Sequence, residues 1–347
     1  MDAYNQALNK EIKLFAESVT LQLPLQTLYI GGGTPSTWPP ALLLDTFATL
    51  NNMFVFENNA EITLEVNPGT VTSEKVAAWK ACGINRLSVG VQSLNDAVLK
   101  QMGRYHTAAD VERFFELTAG IFENISIDLI IGLPGIEKDE WRRQLETVVT
   151  WPIKHVSLYF LTVHEHTRLH ADLQRGLYEL PSEEEVLNAY EETIALLGEW
   201  GIKQYEVSNC AREGFESRHN KAYWNRVAYK SFGLGSSSFD GLRRFTTTSN
   251  LTNYLERVQQ GHDVTEQSEM LTAEQIHLEH IMLGLRQIHG VAREEFFRGR
   301  SAEECALINE QMALFIDEGL LVERAGRIVA TLRGFMLENH LVSKLTI

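Results

Sequence analysis

Cysteine is scarce in this chain: Cys82, Cys210 and Cys305 are the only three in 347 residues, odd in number and far apart. Such spacing supplies neither a disulfide framework nor a paired-cysteine metal knuckle. Basic residues are also few, 31 Lys+Arg against 46 Asp+Glu, for a formal charge of −15 at pH 7. That balance leaves no electrostatic footprint for a phosphate backbone, which argues against nucleic acid as a main partner. Anionic membranes are disfavoured for the same reason. No apolar run is long enough for a transmembrane segment, and the N-terminus has no basic region followed by an apolar signal core. These absences predict a soluble, cytoplasmic protein. What is present is an apolar content of 44%, enough at this length to bury a sizeable core.

From the start to about Val207, short β-rich runs alternate with longer segments of helical period, the pattern of βα units around a parallel sheet. The runs 27–30, 61–66, 86–90, 126–131, 155–161 and 204–207 read as strands. Stretches 40–53, 73–82, 108–121, 137–150 and 182–200 read as helices, the last opening on Ser182 with Glu185 three residues on. Polar residues cluster just after the strands, on the face where a βα barrel carries its active site. Residues 1–207 are therefore read as a βα barrel, 208–266 as an ordered connecting segment, and 267–347 as a helical, winged-helix-like module. Glu303, Glu304, Glu310, Asp317 and Glu318 crowd that module's would-be recognition helix, so packing or a protein partner suits it better than DNA.

The first candidate motif is Gly31-Gly32-Gly33-Thr34-Pro35-Ser36 after a strand. Consecutive glycines let a ligand approach bare backbone. A phosphate loop needs a Gly-Lys-Ser/Thr ending that is absent, and Ser36 stands where a dinucleotide fold needs its third glycine. A lone triple glycine is otherwise a structural turn. Here it is followed by Glu65-Val66-Asn67-Pro68, by Gly90-Val91-Gln92-Ser93, by Asp128 inside the apolar run Ile127–Ile131, and by Ser157 and Tyr159. A carboxylate within an apolar strand costs several kcal/mol unless it is paired or faces a polar cavity. Polar residues at successive strand ends point to a shared ligand cleft, while each alone could be a satisfied barrel-layer group.

In this order, Gly-Gly-Gly-Thr-Pro, Glu-Val-Asn-Pro, Asn85-Arg-Leu-Ser-Val-Gly-Val-Gln-Ser, Arg104 and Ile-Asp-Leu-Ile-Ile-Gly-Leu-Pro resemble the radical S-adenosylmethionine (SAM) proteins of the oxygen-independent coproporphyrinogen III oxidase family, over nearly the whole chain. The resemblance implies an α/β fold, a partial (β/α)6 TIM-like barrel holding a [4Fe–4S] cluster and SAM at its strand-end face. It implies that Gly32, Gly33 and Thr34 contact SAM and that Glu65, Gln92, Arg104 and Asp128 hold its amino-acid and ribose groups, with Thr162 a further contact. A second motif, His219-Asn220-x-x-Tyr223-Trp224, resembles the signature of the heme-chaperone branch, which binds heme and passes it to heme-accepting proteins. A neutral imidazole is a good axial ligand for heme iron, and Tyr and Trp offer planar apolar surface. An ordinary loop histidine is the alternative. The pairs His164/His166 and His277/His280 lack a third ligand at metal spacing, and Cys210 reads as a small buried thiol.

Members of the family bind the cluster through Cys-x3-Cys-x2-Cys upstream of the glycine-rich strand, and no such motif occurs here. Tyr4 to Ile12 resemble the helix after that loop. The resemblance thus implies that the first barrel strand and cluster loop are missing: a start assigned too late, a truncated gene, or a cluster-free binder. Strand 27–30 would then have an exposed edge open to pairing with other chains. A heme chaperone is the first expectation. An oxidase that decarboxylates coproporphyrinogen III once cluster ligands are supplied is the second. A phosphate-binding barrel enzyme is disfavoured because no cation lies near the glycine loop.

Overall fold

The computed structural model describes residues 1–19 and 24–346. Helix α1 (Asp2–Ser18) precedes five βα units: β1 (Leu25–Ile30) with α2 (Pro40–Met53), β2 (Phe56–Val66) with α3 (Ser73–Ala81), β3 (Arg86–Gln92) with α4 (Asp96–Gln101) and α5 (Ala108–Thr118), β4 (Asn124–Ile131) with α6 (Lys138–Val148), and β5 (His155–Phe160) with α7 (Arg168–Gln174) and α8 (Glu183–Glu199). Thr72, Asn95 and Thr167 accept from the first free N–H groups of α3, α4 and α7, as polar residues at that position do. Thr107/Asp110 and Ser182/Glu185 close reciprocal capping boxes at α5 and α8, as that spacing dictates.

Strands β1 to β5 pair in chain order and all in parallel. Successive side chains of a strand point to opposite faces. On one face Leu64, Val66, Leu87, Val89, Ile127, Leu129 and Leu158 are buried against Phe47, Trp79, Phe114, Trp141 and Leu145 of the helices. The intervening positions are polar: Glu61, Thr63 and Glu65 on β2, Arg86 and Ser88 on β3, Ser126 and Asp128 on β4, His155 and Ser157 on β5. The register sets Glu65, Ser88, Ser126 and His155 in one row across four strands and Gly90, Asp128 and Ser157 in another. Polar side chains thus line one whole face.

The expected sixth parallel strand over 204–207 does not form. Instead β6 (Lys203–Gln204) and β7 (Asn209–Ala211) make an antiparallel hairpin, and β7 pairs antiparallel with β5. Backbone partners from elsewhere decide this. Val207 N–H donates to the Arg286 carbonyl (2.8 Å), Leu158 N–H to that of Ser208 (2.7 Å), and Tyr205 N–H to that of Asn209 (3.0 Å). The sheet is five parallel strands plus this hairpin, in the order β1-β2-β3-β4-β5-β7-β6.

The stretch read as an ordered connecting segment (208–266) contains α9 (Arg218–Trp224) and most of a three-stranded antiparallel sheet of β8 (Ser237–Phe239), β9 (Arg243–Thr247) and β10 (Thr265–Met270), with α10 (Leu251–Gln260) between its strands. The remainder is α11 (Ala273–Leu285), β11 (Val291–Ala292), α12 (Ala302–Asp317), β12 (Leu321–Arg324), β13 (Arg327–Ala330), α13 (Leu332–Met336) and α14 (Glu338–Leu345). A second core of Phe296, Ile308, Met312, Phe315, Leu321 and Leu341 holds it together. Among the described residues no helix is long and apolar enough to cross a membrane.

Leu87 is fully buried whereas Tyr105 is 99% exposed. Leu87→Ala is expected to lower the unfolding free energy by about 2–5 kcal/mol, and Tyr105→Ala to stay within about 0.5 kcal/mol of the parent. Urea unfolding curves measure both, and equal effects would contradict the assignment of faces.

Candidate functional site

Strand β1 runs into the three glycines. Gly32 and Gly33 sit at φ +86° and +64°, the left-handed region that a β-carbon disfavours. With Thr34 they are exposed, presenting bare backbone. Gly31 answers to a different constraint: a β-carbon there would lie 2.7 Å from Cε1 of Tyr29 and 2.9 Å from Oε1 of Glu65. Glu65, on the polar face of β2, accepts the Gly32 N–H (3.1 Å) and the Tyr29 hydroxyl (2.9 Å). The turn and the carboxylate are therefore one unit.

Gln92 ends β3 at φ +66°, where the pairing with β4 slips by a residue. Such a conformation in a non-glycine residue is strained and concentrates at functional sites. Its amide nitrogen lies 3.0 Å from where a β-carbon on Gly90 would be, so a side chain there would press on the glutamine. Asp128 accepts the Ser88 hydroxyl (3.4 Å). Burial pushes its carboxyl up to about 6, against the opposing pull of the Ser157 hydroxyl and the Arg86 guanidinium. Arg104 and Thr162 are exposed, after α4 and β5. Neither makes a side-chain hydrogen bond to the others among the described residues.

Helix α9 presents the second motif. Ser217 caps it, and Glu61 of β2 accepts the N–H groups of Arg218 (3.1 Å) and His219 (3.0 Å), a carboxylate at the positive end of a helix. His219 is held on three sides. Its Nδ1 is 2.8 Å from the Thr27 hydroxyl, its Nε2 is 2.8 Å from the Tyr223 hydroxyl, and its ring stacks on Tyr29 at 4.9 Å and 20°. Burial, reinforced by Arg86, lowers its pKa to about 4. It is a neutral imidazole at physiological pH.

One cavity of about 1380 Å³ joins the two motifs, running along β1, the edge strand of the sheet among the described residues, from Gly32 and Glu65 to His219 and Tyr223. Typical ligand pockets measure about 300–1,000 Å³, so a large planar ligand has room. Its far wall is apolar, with Leu8, Ile12, Phe15, Trp38 and Phe54. Trp224 does not share this wall. Residues four apart on a helix share a face and residues five apart do not, so Tyr223 joins His219 while Trp224 packs under Arg286 (5.6 Å).

Several participants escaped the sequence reading: Thr27, Tyr29, Glu61 and Arg86. Their signal is a stripe of polar residues at every second position, Glu61-x-Thr63-x-Glu65 and Arg86-x-Ser88, which marks a polar sheet face. Cys82 and Cys210 are buried and Cys305 half-buried, all as free thiols. Among the described residues no group of three or more His, Cys, Asp or Glu could hold a metal ion, so His164, His166, His277 and His280 form no such site. The residues described thus do not fit a [4Fe–4S] cluster, which needs several converging thiolates.

Residues 7–148 match the model of the radical SAM superfamily. The chain is 34% identical to "Heme chaperone HemW" of Lactococcus lactis, over 99% of its own length and 89% of that protein's. It is 33% identical to the protein of the same name from Bacillus subtilis, over 98% and 90%. Among solved structures, coproporphyrinogen III oxidase (HemN) from Escherichia coli superposes with a TM-score of 0.80 at 22% identity, covering 99% of this chain and 83% of that one. That likeness establishes the shared fold.

The raised carboxyl of Asp128 carries a stability cost of known sign. Its pKa climbs from 3.8 unfolded to about 6 folded, so stability is complete below about pH 4 and falls by up to roughly 3 kcal/mol as pH rises past about 6. Asp128→Asn should therefore stabilise the chain at pH 7 and flatten its pH dependence between about 4 and 6, read from urea curves. A variant as pH-dependent as the parent would contradict the assignment.

Proposed function

The chain belongs to the HemW heme chaperone family of the radical SAM superfamily, and from that premise we propose that it binds heme and hands it to acceptor proteins in the cytoplasm. The observation that carries this reading is His219. Its imidazole is neutral, lies 2.8 Å from the Thr27 hydroxyl at Nδ1 and 2.8 Å from the Tyr223 hydroxyl at Nε2, and lines the large cavity together with Tyr223. A hydrogen bond on one ring nitrogen sets the tautomer and directs the other at the metal. When Nδ1–H donates to Thr27, the Nε2 lone pair accepts the Tyr223 hydroxyl, and heme iron replaces that hydroxyl as partner. His219 is thus the proposed iron ligand.

At the other end of the cavity, Gly32, Thr34 and Glu65 are the lining residues proposed to hold SAM, while Gly33, Gln92, Arg104, Asp128 and Thr162 lie outside its lining. Gly32, Gly33 and Thr34 offer unobstructed backbone, and Glu65 and Asp128 supply carboxylates for its cationic amino and sulfonium groups. Gln92, Arg104 and Thr162 complete the proposed set. When bound, SAM supplies an adenosyl group and a positive charge to this face. The described cysteines offer no cluster site. We divide the chain into a SAM-type βα unit (1–207), a segment bearing the heme motif (208–266) and a C-terminal module (267–347). The shared fold with HemN suits an oxidase equally well, but the His219 motif and the names of the full-length relatives favour the chaperone.

Ferric heme titrations followed in the Soret band test this reading. His219→Ala should weaken binding at least about tenfold, equivalent to about 1.4 kcal/mol, and shift the band. Unchanged affinity and spectrum would refute the ligand assignment. Heme-loaded protein should also transfer its heme to an apo-globin, with the acceptor's spectrum appearing as the donor's fades.

A further inference from the structure

Tyr29 touches both ends of the cavity. Its hydroxyl donates to Oε1 of Glu65 at 2.9 Å, and the other oxygen of that carboxylate accepts the N–H of Gly32 at 3.1 Å. The face of the same ring lies on the imidazole of His219, 4.9 Å between centres and 20° from parallel. Both contacts are close-packed. A β-carbon on Gly31 would lie 2.7 Å from Cε1 of Tyr29 and 2.9 Å from Oε1 of Glu65, so the glycine turn, the carboxylate and the phenol ring are packed side by side. The phenol stays protonated, since burial and Glu65 push its pKa well above the ordinary tyrosine value. It is therefore a permanent donor to Glu65.

We propose that Tyr29 is a positioning residue that couples the two ligand sites, so that occupancy of Glu65 and the glycine turn sets the orientation of the His219 ring and hence its hold on heme iron. The proposal rests on the heme and SAM reading above. A cationic ligand on Glu65 redirects the carboxylate, changes the bond from the Tyr29 hydroxyl and tilts the ring against which His219 packs. Thr27 and Tyr223 hold the imidazole edges, so a tilt of the stacked face changes the direction of Nε2. Coupling between binding sites is reciprocal by thermodynamic necessity, which gives the experiment an internal check.

The experiment is a pair of titrations on the full chain, ferric heme with and without saturating SAM, and SAM with and without heme. In the parent, SAM should change the heme dissociation constant by about fivefold or more, and heme should change that of SAM by the same factor. Tyr29→Phe keeps the stacked ring and removes the donor, and the factor should fall to near one. In heme-free protein labelled with 15N-histidine, SAM should move the ring resonances of His219 in the parent and leave them in place in Tyr29→Phe. A factor that persists in the folded variant overturns the proposal, as does a parent in which neither ligand affects the other or in which SAM does not bind. Heme affinity indifferent to His219→Ala instead defeats the underlying heme reading, and the two failures are distinguishable.

Discussion

Parallel sheets are ordinarily apolar on both faces because helices cover both. In this chain the face under the helices obeys that rule, whereas the opposite face of β2 to β5 carries Glu61, Thr63, Glu65, Arg86, Ser88, Asp128 and His155. Polar groups withdrawn from water must find partners or lose several kcal/mol each. Much of the remaining architecture answers that demand. Glu61 is satisfied by the first N–H groups of α9 and Glu65 by Tyr29 and Gly32. His155 bridges Ser126 (2.7 Å) to the Tyr205 hydroxyl (2.9 Å), which accepts the N–H of Ser217 at the cap of α9. Helix α9 is thus bonded to the polar face at two points, and that is why His219 reaches the edge of β1 across a sequence separation of 192 residues.

In the proposed heme reading, the Tyr223 hydroxyl at 2.8 Å from Nε2 of His219 is the group that heme iron would displace.

Much of this was legible in the sequence. The first five strands and the longer helices α2, α3, α5, α6 and α8 follow from period, the helix over Pro40–Met53 falling where its apolar spacing places it, whereas the short helices α4 and α7 were not read. Residues 204–207 misled because their composition is strand-like while their direction is fixed by partners at Ser208, Asn209 and Arg286. Local pattern carries no information about such distant pairing. The glycine turn and Glu65 were recognisable as a motif, but the stack of Tyr29 on His219 was not, since no spacing rule links a strand near the start to a helix past residue 217. The motif reading paired Trp224 with Tyr223 as planar surface, and helical geometry sets Trp224 outside the cavity, under Arg286.

The central claim is that heme iron is bound by the imidazole of His219 within the cavity along β1. Pulsed electron paramagnetic resonance of the ferric-heme complex, prepared with 15N-labelled histidine, reports this contact directly. One strongly coupled 15N nucleus that disappears in His219→Ala is the expected result. A coupling that survives that substitution, or no strongly coupled histidine nitrogen at all, would contradict it.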